Sequence, residues 1–150
     1  MYAGLMGRLL LGICVLALSV ASASCDETDP PSTPSAIWTG AITVESFSGT
    51  LPVGGTRFYS FVSPHQGVID LTLLTLIENG ATSANTVNLG LGVPSGTTCA
   101  VGSNTLTTGP GSTRQVSVAI PAGTYCARVQ DVGNLTSTAT FSVNISHPAQ

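Results

Sequence analysis

The feature that most constrains this chain is a period of two. Val87, Leu89, Leu91 and Val93 alternate with Asn88, Gly90 and Gly92, and Phe141, Val143 and Ile145 with Ser142, Asn144 and Ser146. Val116, Val118 and Ile120 alternate with Ser117 and Ala119, and Ile69, Leu71 and Leu73 with Asp70 and Thr72. Side chains that point alternately to opposite faces bury one face and wet the other, as in antiparallel sheets. After the first 36 residues no segment keeps helical spacing over three turns. Turn chemistry separates the runs: Gly54-Gly55, Pro64-His65-Gln66-Gly67, Asn79-Gly80, Pro94-Ser95-Gly96, Gly109-Pro110-Gly111 and Pro121-Ala122-Gly123. Glycine and asparagine tolerate positive φ there, and proline presets φ near −65°. Strands are expected near 38–47, 57–63, 68–77, 86–93, 104–107, 114–120, 123–130 and 139–146. About seven to nine short strands so spaced predict an all-β fold, an antiparallel β-sandwich of jelly-roll or Greek-key kind, over residues 37–150.

The amino-terminal part has a different grammar. Arg8 precedes Leu9 to Ala21, a stretch almost without polar atoms and shorter than the ~20 apolar residues that a membrane-spanning helix needs. A positive charge, an apolar run of this length and the small residues Ala21, Ser22, Ala23 and Ser24 describe an export signal, here residues 1–24. Two cleavage readings fit. Ala21-Ser22-Ala23 matches an A-x-A site, with the cut before Ser24. Ser22-Ala23-Ser24-Cys25 is similar to a bacterial lipobox, in which the cut falls before a cysteine that carries diacylglycerol.

Cysteine arithmetic bears on the choice. Cys14 leaves with the signal, and Cys99 and Cys126, 27 positions apart, are expected to form a disulfide in an oxidising compartment. Two free buried thiols are the alternative. Cys25 is then left over, and acylation would consume its thiol. Lipid attachment at Cys25 is therefore the preferred reading, with the membrane as partner. Residues 25–36 contain three prolines and three acidic residues, and read as a semi-rigid spacer of ~3.1 Å per residue. Tyr125, Ala127 and Val129 are expected to face the core, which turns Cys126 and Arg128 outward.

Several segments in order resemble the bacterial pre-peptidase C-terminal domain, a small β-sandwich often appended to secreted peptidases. These are Gly49-Thr50-Leu51, the run Gly54 to Phe61, the run Gly67 to Leu73, Pro121-Ala122-Gly123-Thr124-Tyr125 and Phe141 to Ile145. The resemblance spans roughly residues 45–147 and implies a fold rather than an activity. Thr56 and Arg57 stand where that family commonly carries an acidic residue.

Chemistry is sparse. Four arginines and no lysine against seven acidic residues give a net charge of −3, which excludes a basic nucleic-acid binder. No G-x-S-x-G elbow accompanies His65 or His147, and both histidines are expected in solvated turns. No catalytic residue is expected. No short-spaced His and Cys set calls for zinc, and Glu78-Asn79 and Asp131 with Asn134 are only fragments of a calcium loop, so neither metal nor cofactor is expected. Trp38 reads as a core-edge residue or a sugar-stacking platform, and Phe58, Tyr59 and Phe61 divide between the faces of their strand in one of two ways. Asn134-Leu135-Thr136 and Asn144-Ile145-Ser146 are glycosylation sequons, coincidental in a bacterial protein. The expected function is a non-catalytic exported lipoprotein displaying an interaction domain to a glycan or an exported protein. A soluble secreted carbohydrate-binding module, or an accessory or inhibitor of an exported peptidase, are the alternatives. The sequence names no ligand.

Overall fold

The computed structural model describes residues 39–150. The expected signal, Cys25, the spacer and Trp38 lie outside the described residues. The described residues form two five-stranded antiparallel sheets packed face to face. In the first, β1 (Ile42–Leu51) pairs with β10 (Ala139–Pro148), and β10 pairs with β3 (Gly67–Glu78). The far edge of β3 is shared by β8 (Val116–Ile120) and the two-residue β4 (Ala81–Thr82). In the second, β2 (Thr56–Ser63) pairs with β9 (Gly123–Asp131), and β9 with β5 (Val87–Ser95). The far edge of β5 is shared by β7 (Thr105–Thr108) and β6 (Thr98–Ala100). With β4 and β6 set aside, the sheet orders β1-β10-β3-β8 and β2-β9-β5-β7 are those of a jelly roll.

All eight expected strands are present. The first begins at Ile42 rather than 38 and runs on to Leu51, because its ten residues pair without a break with the ten of β10. That register turns Thr43, Glu45, Phe47, Gly49 and Leu51 toward the interior and leaves Ile42 and Val44 exposed. The core between the sheets is built from Leu51, Phe61, Ile69, Leu71, Leu73, Leu76, Val87, Leu89, Leu91, Val129, Phe141, Val143 and Ile145, all buried. Each such side chain contributes about 1.5–3 kcal/mol by leaving water. Phe61 enters this core, while Phe58 lies on the opposite face of β2. Tyr59 shares the inward face, where its ring stacks on Phe47 with centroids 5.6 Å apart.

A bulge changes the phase of β3. Val143 pairs with Leu73 but Ser142 pairs with Thr75, so Leu74 is the extra residue. Beyond it Leu76 and Glu78 turn inward while Ile77 turns out, the reverse of an unbroken alternation from Leu73.

The outer face of the second sheet is not simply wet, as the alternation predicts. Gly90 and Gly92 are buried, because the chain leaving β6 crosses back over them. A Cβ on Gly92 would stand 2.1 Å from the Ala100 carbonyl oxygen and 2.8 Å from Val101 Cα. Only glycine admits backbone this close. Val101 then caps a second small core with Cys99, Cys126 and Phe58. The expected disulfide is present: Cys99 and Cys126 are bonded, with Cα atoms 6.0 Å apart. Cys126 does face away from the main core, but it is completely buried by this flap rather than exposed on the sheet.

Candidate functional site: the loop pole

Strand direction gives the sandwich two poles. One carries Ile42, Pro148, residues 64–66 and residues 121–122, and the described chain enters there. The other carries residues 52–55, the β3–β4 turn, residues 83–86 and residues 132–138. At this loop pole two carboxylates hold the connections.

Glu78 arrives there because of the Leu74 bulge, which aims it inward at the last position of β3. The next residues, Asn79 and Gly80, have φ of 53° and 78° and close a two-residue hairpin. Glu78 Oε1 accepts from the Thr136 N–H at 2.8 Å, the Thr136 hydroxyl at 2.9 Å and the Ser137 N–H at 2.9 Å. Its Oε2 accepts from Asn85 Nδ2 at 2.8 Å and the Ser83 hydroxyl at 3.0 Å. The N–H of Thr136, then that of Ser137, with the Thr136 hydroxyl, holds this carboxyl at about 2, against an ordinary value of 4.5. One side chain thus joins residues 83–85 to residues 136–137.

Asp131 does the same for the neighbouring turns. Its Oδ2 accepts from the Gly54 N–H at 2.6 Å, and its Oδ1 from the N–H groups of Gly133, Asn134 and Leu135 at 2.9, 3.2 and 3.3 Å. Burial pushes this carboxyl up, but the N–H groups of Gly54, Gly133, Leu135 and Asn134 together outweigh it and hold it below the usual aspartate value. Asn134 Nδ2 donates to Thr86 Oγ1 at 3.0 Å and ties the two loop groups to each other. Loops held at so many points lose little freedom when a ligand arrives.

These two carboxylates are the ones expected at most as calcium-loop fragments. N–H and O–H donors point at them, the reverse of the oxygen lining that calcium requires. Among the described residues no three His, Cys, Asp or Glu side chains converge as a metal cluster. The pole presents Asn79, Thr82, Thr138 and Asn134 to solvent, uncharged hydrogen-bonding groups beside the exposed tips Val53 and Val132. The sequence carried one signal for Asp131: aspartate two residues before Gly133-Asn134 is the pattern of an Asx turn. For Glu78 the signal was absent, because its aim depends on the bulge.

At the entry pole, His147 corrects an expectation. It is not a solvated turn residue but the ninth residue of β10, and it is buried. Its ring lies 5.3 Å from that of Phe61, with Nδ1 2.9 Å from the Pro148 carbonyl oxygen and Nε2 3.1 Å from Glu45 Oε1. The Tyr59 hydroxyl donates to Glu45 Oε2 at 2.7 Å, and this bond, with the carboxylate's charge, raises the phenol above its usual value. His65 stays in its turn, where the Ser63 hydroxyl donates to its backbone oxygen. Of the sequons, Asn134 is on an exposed loop, while Asn144 lies mid-strand in β10 and accepts from the Ser46 hydroxyl. No family model matches the chain, and no curated protein matches it.

Proposed function

We propose that this chain is an exported, non-catalytic lipoprotein whose β-sandwich displays its loop pole to a glycan or an exported protein. In this reading the signal of residues 1–24 is removed, Cys25 carries lipid and residues 26–36 are the spacer. The resemblance to the pre-peptidase C-terminal domain supports the β-sandwich of this reading and carries no activity with it. The observation that carries the reading is the use of Glu78 and Asp131: both carboxylates are taken up in fixing loops, which leaves a rigid, uncharged hydrogen-bonding surface. Polarity supports it too. The chain enters the domain at the Ile42 end, so an anchor at Cys25 joins the pole opposite those loops.

Intact mass of the natively expressed protein tests the anchor, since it reports the cleavage point, the acyl chains and the mass deficit of a disulfide. Cys25→Ser is expected to release the protein from membranes, because one or more acyl chains contribute about 0.8 kcal/mol per buried CH₂. Membrane retention of that variant with unchanged processing would refute it. A glycan array with Asn134→Ala and Asn79→Ala as comparisons tests the loop pole.

A further inference from the structure

The entry pole carries a cleft that display by the loop pole does not use. It holds about 340 Å³ and is lined by Thr43, Glu45, Val62, Pro64, His147 and Gln150. The register of β1 with β10 turns Glu45 inward at its wall, and two partners fix the carboxyl there. Oε2 accepts from the Tyr59 hydroxyl at 2.7 Å, and Oε1 is hydrogen-bonded to His147 Nε2 at 3.1 Å. The partners are held in turn, Tyr59 by stacking on Phe47, and His147 by Phe61 and the Pro148 carbonyl. The Glu45 side chain is nevertheless 30% exposed. A carboxyl offers about four lone-pair sites, and these two bonds occupy two of them. Each oxygen therefore keeps room to accept one more hydrogen bond, wherever the proton between Oε1 and Nε2 resides.

We infer that this cleft binds a single sugar ring, held by two neighbouring hydroxyls on the Glu45 carboxyl. Two adjacent hydroxyls of a pyranose can donate side by side to the two oxygens of one carboxyl. Thr43 adds a hydroxyl to the lining and Gln150 an amide, so the cleft both donates and accepts, as a ring of hydroxyls requires. A cation would use acceptors alone, and Glu45 already has a donor on each oxygen. Pro64 and the exposed Val62 supply apolar surface for the C–H face of the ring. The volume lies at the small end of the range for ligand sites, about 300–1,000 Å³, which admits one ring rather than an oligosaccharide. The carboxyl stands on a strand and is locked by its partners, so little freedom is lost on binding. One ring held by a few hydrogen bonds binds with a Kd of about 1–10 mM. The site is independent of the loop pole, which lies at the other end of the strands.

The test is a titration of the purified protein with the methyl glycosides of glucose, galactose and mannose, each followed by ¹H–¹⁵N spectra. At least one is expected to move the amide signals of Thr43, Glu45, Val62 and His147 saturably, while those of Asn79 and Asn134 stay. Glu45→Gln is expected to weaken binding about 10-fold or more, and Thr43→Val about 3-fold. Asn79→Ala and Asn134→Ala, which test the loop pole, are expected to leave it unchanged, so the two sites fail separately. The parent spectrum needs no variant, so a misfolded mutant cannot obscure the outcome. Glycosides that move none of the cleft signals overturn the inference, as does binding that survives Glu45→Gln undiminished. Methylguanidinium chloride that moves the same signals as strongly as any glycoside also overturns it, because the cleft is then a cation site.

Discussion

Replacing Cys99 and Cys126 together by alanine tests what holds the second core. The bridge closes a loop of 27 residues, which in the chain-entropy picture removes about 12 cal/mol/K from the unfolded chain, or about 3.5 kcal/mol at 25 °C. The two sulfurs are also buried against Val101 and Phe58, and their loss adds about 1–2 kcal/mol. A total near 5 kcal/mol is a large share of what a small domain has. With a urea slope of about 2 kcal/mol/M the unfolding midpoint falls by roughly 2.5 M. The loss is expected to be uneven. Hydrogen exchange in the double variant is expected to show residues 98–104 open first, since β6 has only three residues pairing with β5. Core strands such as β10 are expected to keep the highest protection that remains. A midpoint within about 0.5 M of the parent would refute the reasoning, because it would mean that the flap closes over Gly90 and Gly92 without help from the bridge.

The other predictions concern single positions. Gly92→Ala sets a Cβ against backbone at Ala100 that cannot swing aside, and is expected to cost about 3 kcal/mol or more in urea unfolding. Gly80→Ala, where open space leaves only the φ of 78° as a penalty, is expected to cost about 1–2 kcal/mol. Glu78 has its folded value, about 2, below its ordinary 4.5, so its contribution is complete above 4.5 and fades as pH falls from there through 2. The urea midpoint of the parent is therefore expected to drop across that window, and that of Glu78→Gln to start lower and vary less. Arg114→Ala breaks an ion pair of 3.7 Å to Asp70 whose arginine is mostly exposed, and is expected to change stability by less than about 0.5 kcal/mol.

Sequence patterning conveyed the strands because alternation is local, and it conveyed the disulfide because Cys99 and Cys126 are the two cysteines within the strand-patterned residues 37–150. It could not convey what two distant segments do to each other. Gly90 and Gly92 look like the wet half of an alternating strand until residues 99–104 fold over them. Leu74 looks like one more apolar residue until the pairing with β10 makes it the bulge that aims Glu78. β4 and β6, two and three residues long in polar surroundings, exist only through their partners β3 and β5. His147 next to Pro148 reads as a solvated turn residue, yet pairing with Thr43 and Ile42 continues β10 through both residues.

The ten-residue ladder between β1 and β10 has a mechanical side. A ligand gripped at the loop pole and an anchor drawing on residue 39 would stretch the domain lengthwise, parallel to its strands. The rungs from Ile42–Pro148 to Leu51–Ala139 would then be sheared together, sharing the load, whereas a sideways tug would unzip them singly. If the proposed anchor and ligand load the domain in that direction, the shared rungs are what would resist the pull.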